Sequence, residues 1–307
     1  MPMPGWPPDI VVLERGWLSS NNILLLDDQQ RTAILVDTGY LSHAEQTLAL
    51  VEQALGGRRL QSIINTHLHS DHCGGNAALA QHHGAPIQVP AAEFDAASTW
   101  DENRLSFKAT GQRCARFSPS QALSPGGTIE LGQRRWDLLG APGHDPHALM
   151  LFDARDGVLI AADALWENGF GVVFPELVGE PGFEEVRTTL RLIRGLGARH
   201  VIPGHGAIFS DVNAALDRAE ARLDSFEQDP IRHAWYAAKV LVKFHLLEMR
   251  QLSLADLLGW LDRTPYFGLV HQRHFVAQPW EVWKFELLET LLKSGALRRN
   301  GNFILDS

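Results

Sequence analysis

Between Thr66 and Gly75 the chain reads THLHSDHCGG, which places His67, His69, Asp71 and His72 within six positions. Imidazoles and a carboxylate packed this densely are the donor set of a divalent-metal site. Further donors follow in similar surroundings: His144 in APGHDPH, Asp163 after the apolar run Val158 to Ala162, and His205 in IPGHG. Each of the seven lies on a segment leaving an expected strand, and seven is more than one zinc ion uses. Two ions sharing one carboxylate would use them all and leave open positions for water. Water shared by such a pair loses a proton near neutral pH, its pKa falling from about 15.7 to roughly 7. His67 and His69, two apart on an extended segment, point the same way, whereas Asp71 and His72 belong to the turn and reach a second ion.

Positioning these donors requires strands that end together. DIVVLERG, NNILLLDD and TAILVDTG read as an opening β-meander. Apolar residues at helical spacing from Ser42 to Leu55 end at Gly56-Gly57, and the strand Leu60 to Ile64 delivers the histidine-rich loop. A helix is expected from about Asn76. TIELGQRRWDLLGA and HALMLFDARDGVLIAADAL read as strand pairs, the second turning at Asp156-Gly157. Phe183 to Leu196 is helical, and His200 to Pro203 is a strand running into GHG. Two sheets covered by outer helices fit this plan. Beyond Asp211 the chain becomes mainly helical, breaking at Asp229-Pro230, with a capping box at Ser253 and a terminal hairpin around Asn300-Gly301. The expected division is residues 1–228 as a catalytic domain and 229–307 as a small helical, winged-helix-like domain.

Composition removes several function classes. The chain has 307 residues, 45% of them hydrophobic, which excludes a disordered or fibrous protein. No window resembles a membrane span or a signal peptide, and two cysteines, Cys73 and Cys114, are too few for a disulfide framework. The expectation is a cytoplasmic protein without a membrane partner. With 27 basic and 36 acidic residues the net charge is −9, which opposes nonspecific nucleic-acid binding. Most of the nine tryptophans are expected in the core. Cys73 reads as packing volume, His147 as a surface histidine, His82-His83 as a helix end, and Arg298-Arg299 as a solvated face.

The pattern T-H-x-H-x-D-H followed by PGH, an aspartate after a hydrophobic strand, and PGHG resembles the metallo-β-lactamase superfamily over roughly residues 10 to 210. The glyoxalase II-like hydrolases are the branch it resembles most. This resemblance implies an α/β fold, an αββα sandwich with the metals at one edge. It also implies that His67, His69 and His144 hold a first metal, that Asp71, His72 and His205 hold a second, and that Asp163 bridges them. Asp37 in DTG would orient the metal loop. The implied cofactors are two divalent ions, zinc first, with iron or manganese as alternatives.

The expected function is hydrolysis of an ester, thioester or lactone of a small molecule by a metal-bridging hydroxide, with Asp71 relaying a proton to the leaving group. The partner is then a small acyl substrate, with a homo-oligomer as the remaining association. Trp166 to Phe174 suits a pocket wall, and Arg263 to His274 reads as a loop that either covers the metals or packs between domains. A metal-dependent RNA endonuclease and an iron-dependent dioxygenase on the same fold are the competing functions.

Overall fold

The computed structural model describes residues 5–307. Six strands form one sheet in chain order: β1 (Ile10–Leu13), β2 (Asn22–Asp27), β3 (Thr32–Val36), β4 (Arg59–Ile64), β5 (Ile87–Pro90) and β6 (Gln121–Leu123). The first three run antiparallel and the rest parallel. A second sheet contains β7 (Thr128–Leu131), β8 (Arg134–Gly140), β9 (Leu149–Asp153), β10 (Val158–Ala162) and β11 (His200–Pro203), ordered β11-β10-β9-β8-β7.

Alternation along the strands builds the layers, because successive side chains leave opposite faces of a sheet. Ile23, Leu25, Ile34 and Val36 turn inward and meet Leu149, Leu151, Val158 and Ile160 of the facing sheet. Their neighbours Leu24, Leu26, Ala33 and Leu35 turn outward beneath Val51, Leu55 and Leu79 of the covering helices. On the far side Met150, Phe152, Leu159 and Ala161 pack against Leu190, Ile193, Leu216 and Leu223. The result is an αββα sandwich.

This topology brings the strand ends together. Strands β3 and β4 are parallel, as are β10 and β11, and β8 is aligned with β10 through two antiparallel steps. Their C-terminal ends therefore open onto one edge, where the Leu149 N–H donates to Thr66 O at 2.8 Å and the Asn21 N–H donates to Gly204 O at 2.7 Å, joining the sheets.

The C-terminal region comprises helices Pro230–Met249, Leu254–Arg263, Pro265–His274 and Trp280–Lys293. A small sheet of β12 (Gln251–Ser253), β13 (Leu297–Asn300) and β14 (Phe303–Asp306), ordered β12-β14-β13, completes the winged-helix-like arrangement. Asp229 caps the first helix by accepting from Arg232 N, and Ser253 Oγ accepts from Asp256 N at 3.1 Å. Three expectations change. The stretch Arg263 to His274 is largely helix, because Pro265 occupies a first-turn position where its missing N–H costs nothing. The terminal turn consists of Gly301 and Asn302, since Asn300 pairs with Phe303. Among the tryptophans only Trp136 and Trp283 are fully buried, while Trp17 is 59% exposed.

Candidate metal centre

All seven expected donors converge on the open edge as two groups, His67, His69 and His144 in one and Asp71, His72, Asp163 and His205 in the other. In the first, His69 Nδ1 stands 3.1 Å from His67 Nε2 and 2.8 Å from His144 Nε2, so three ring nitrogens face one point. In the second, Asp71 Oδ2 lies 3.1 Å from His205 Nε2 and 3.9 Å from His72 Nε2. Asp163 straddles both, with Oδ2 at 3.3 Å from His144 Nε2 and Oδ1 at 3.5 Å from His72 Nε2. His72 Nε2 is buried and has no hydrogen-bond partner among the described residues. A buried nitrogen aimed at two carboxylates, without a bond of its own, fits a cation.

Three of the five rings, His67, His72 and His144, are tied down from behind, which sets the nitrogen each presents. His72 Nδ1 donates to Asp37 Oδ2 at 2.7 Å, and Asp37 also accepts from Thr66 N and Thr66 Oγ1. His67 Nδ1 donates to Thr66 Oγ1 at 3.1 Å and His144 Nδ1 to Val172 O at 2.6 Å. Such outer bonds leave the opposite nitrogen free as a ligand and raise its basicity. Asn65 and Asn76 add a layer: Asn76 Nδ2 donates to Asn65 Oδ1 at 2.6 Å, and Asn65 Nδ2 to His72 O at 3.1 Å.

Close approach and strain concentrate at the same edge. A Cβ on Gly204 would meet Asp163 Oδ1 at 2.1 Å, and one on Gly74 would meet Leu41 N at 2.4 Å. Asp37 and Ala162 hold left-handed backbone, with φ of 59° and 46°. For an alanine this costs about 1–2 kcal/mol. The strained turn at Ala162 immediately precedes Asp163, where stored strain is expected of a functional segment.

Electrostatics separate the two groups. Burial pushes His69 and His144 down to about 4 and His67 well below its ordinary range, so all three offer unprotonated nitrogens at neutral pH. Burial would also lower His72, but Asp37, Asp163 and Asp71 outweigh it and raise it well above the usual histidine range. For Asp163 burial acts upward, yet His72 and His205 hold the carboxyl well below its ordinary value. The field around the second group therefore favours positive charge.

The cavity above the donors is walled by Trp166, Gly171, Val172 and Phe174, the segment expected as a pocket wall, and by Trp17 and Phe244. Trp166 Nε1 donates to Asp163 Oδ1 at 3.1 Å, and the Trp17 ring stacks on His205 at 5.4 Å between centroids. Sequence reasoning did not single out Trp17, Asn65 or Asn76. From the helix expected as a loop, Tyr266 packs on Phe174 at 5.6 Å and lines a cavity that also borders His69 and His144, while His271 Nε2 donates to Gln278 O. His147 is exposed on the rim of an adjoining cavity beside His69 and His144. Cys73 does have a cysteine neighbour: its Sγ lies 3.7 Å from Cys114 Sγ. His82 and His83 sit in the last turn of their helix beside Glu52, as a helix end requires.

A sandwich of this topology with its donors at one edge defines a metallohydrolase-like class, and the profile of the Metallo-beta-lactamase superfamily matches residues 15–205. The chain belongs to that superfamily, whose members bind divalent metals and are mostly hydrolases. It is 31% identical to a hydroxyacylglutathione hydrolase of Cyanothece over 162 residues, 51% of this chain and 54% of the relative. The match thus spans about half that relative's length. It is 28% identical to the human acyl-coenzyme A thioesterase MBLAC2 over 220 residues, 63% of this chain and 76% of the relative. The fold is similar to that of a metallo-beta-lactamase family protein from Thermus thermophilus, with a TM-score of 0.60 and 21% identity, covering 98% of this chain and 99% of that one. No helix among the described residues is long and apolar enough to cross a membrane.

Proposed function

We propose that the protein is a dinuclear-metal hydrolase acting on an ester, thioester or lactone of a small molecule, with thioesters the first class to test. The observation that carries this reading is the Asp163 carboxylate, whose two oxygens face the two donor groups separately. His67, His69 and His144 would hold one ion, Asp71, His72 and His205 the other, and Asp163 both. Bound there, two divalent ions would supply Lewis acidity and a water acidic enough to ionise near neutral pH. Zinc is the first candidate, with iron and manganese as alternatives because imidazole and carboxylate suit all three.

The chain's own residues do the rest. Asp37, Thr66 and Val172 fix ring orientation. Asp71, which lines the cavity, would pass a proton to the departing group. Thioester chemistry is favoured by the two relatives, named as a hydroxyacylglutathione hydrolase and an acyl-coenzyme A thioesterase. The proposed partner is therefore a small acyl substrate and the proposed location the cytoplasm. Against a nucleic-acid substrate stand the net charge of −9 and the three glutamates, Glu281, Glu286 and Glu289, on the helix Trp280–Lys293 that precedes the wing.

Elemental analysis of purified protein beside a turnover panel of thioesters, lactones, β-lactams and RNA tests the reading. About two metal ions per chain with hydrolysis of one acyl class is the expected result. One iron with no hydrolysis would replace it with the dioxygenase.

A further inference from the structure

The cavity above the metal donors does not end there. Five of its residues, Trp17, Trp166, Tyr236, Val240 and Phe244, also line an adjoining cleft of about 370 Å³. That volume lies within the range of roughly 300–1,000 Å³ typical of small-molecule sites. Beyond the shared residues the cleft continues over Leu247 and Leu291 towards Ser294 and Ala296.

Its floor is a second apolar stripe on one helix. Pro230–Met249 already buries Ala234, Ala237, Ala238, Leu241, Val242 and Leu246 in the C-terminal core. Tyr236, Val240, Phe244 and Leu247 recur at helical spacing beside that face and are only partly buried. A helix apolar on two sides and covered on one leaves a surface that suits an apolar ligand. The wall nearest the metal donors is built from ring contacts: Trp17 stacks on His205 and meets Trp166 edge-on at 5.4 Å, while Tyr236 lies beneath the Arg222 guanidinium at 4.4 Å.

Two cations flank the stripe, and they differ. Lys243 Nζ donates to Ala296 O at 2.7 Å and pairs with Asp306. Lys239 has no hydrogen bond or ion pair with any described residue, although its side chain is partly buried in the cleft. Burial and, next, Arg232 lower its pKa, and an anion brought to it would act in the opposite direction.

We infer that this cleft is the subsite for an apolar chain of the substrate, and that Lys239, beside Tyr236 and Val240 on its floor, receives an anionic group that the substrate carries. The inference rests on the hydrolase reading for the word substrate, and on the cleft alone for binding. The substrate class is thus an anionic amphiphile whose scissile carbonyl lies at the metals. The chain could belong to the acyl or to the leaving side, and turnover distinguishes them.

The first measurement is binding to the purified, metal-loaded protein, read by displacement of a fluorescent polyene fatty acid. Dodecanoate should displace it at least tenfold better than butanoate, and Leu247→Trp, which fills the cleft, should remove most of that preference. A series of α,ω-diacids should contain one that outbinds its monoacid at least fivefold, an advantage absent in Lys239→Met. Should Leu247→Trp fail to fold, the butanoate–dodecanoate comparison on the unaltered protein still decides the chain subsite, and the Lys239→Met comparison the role of the lysine. Equal displacement by butanoate and dodecanoate overturns the chain subsite, and no diacid advantage overturns the role of Lys239. Turnover then uses two arms, acyl chains from acetyl to dodecanoyl on one thiol and acetyl thioesters of short and long thiols. A rise of tenfold or more along one arm supports the subsite and names the side, whereas turnover flat along both overturns it. Chain-dependent binding with no turnover on either arm would retain the cleft and defeat the hydrolase reading instead.

Discussion

His67, His69 and His144 meet as three neutral imidazoles, whereas Asp71, His72, Asp163 and His205 set two carboxylates against two imidazoles. The first group is held by burial, which keeps its nitrogens unprotonated. The second is held by charge, which draws positive charge to the same point. Affinity in the first group therefore depends on ring placement and in the second on compensated negative charge. Asp163 belongs to both, so its loss should have the largest effect. Asp163→Asn should lower turnover by about a thousandfold and reduce metal content from about two ions to at most one. Full turnover with two ions retained would separate the groups and remove the dinuclear mechanism.

A subtler variant sharpens the contrast. Asp37 touches no point where an ion would sit, but it accepts the His72 Nδ1–H bond that aims Nε2 at the second group. Asp37→Asn replaces a charged acceptor with a neutral amide, and loss of such an outer partner typically costs about 10–100-fold in metal affinity. Titration with a chelator should show one of the two ions leaving earlier than in the unaltered protein. Two ions released together, at unchanged chelator concentration, would mean that the groups share their support.

The donors were legible because their chemistry resides in residue types and in the short strings around them. PGH, PGHG and the aspartate after an apolar strand each mark, without reference to distant chain, a residue that the fold brings to the common edge. The sandwich was legible for a similar reason, since Ile23 to Leu26 and Ile34 to Val36 alternate between two cores. What supports the donors was less so. Asn65 and Asn76 act through a backbone carbonyl and each other, and neither type signals such a role locally. The cleft is assembled from Trp17, Trp166 and the helix Pro230–Met249, three segments far apart in sequence. Pro265 misled because proline reads as a breaker, although at a first-turn position it starts a helix.

The histidine outside the centre provides a control for acid effects. His233 is buried and accepts from Val173 N at 3.2 Å, tying the helix Pro230–Met249 to the pocket wall. Burial, with His274 and Arg222, pushes it down to about 3. Since the unfolded chain takes up this proton near 6.5 and the folded chain only near 3, stability is complete above 6.5 and falls as pH drops between those values. Each pH unit in that window costs up to about 1.4 kcal/mol. Denaturant unfolding of metal-free His233→Gln and of metal-free unaltered protein should show a shallower acid slope for the variant. Equal slopes would assign acid sensitivity to other groups that folding makes harder to protonate, His67, His69, His144 and Asp163 of the candidate centre among them.

The smallest effect is expected at the far end of the C-terminal region. Arg298 and Arg299 lie on β13, exposed, with Arg298 donating to Asp306 O and Arg299 to Gly301 O within their own hairpin. Neither lines the metal cavity or the adjoining cleft. A wing that bound nucleic acid would present these two cations beside a neutral or basic helix, yet the preceding helix carries Glu281, Glu286 and Glu289. Replacing both arginines with alanine should leave thioester turnover within about twofold, as surface substitutions away from packed or paired groups do. RNA cleavage, assayed on the same preparations at low salt, should be absent in both proteins. Were RNA cleavage present and then lost in the double variant, the exposed hairpin would become a substrate contact, and the small-molecule reading would yield to the endonuclease.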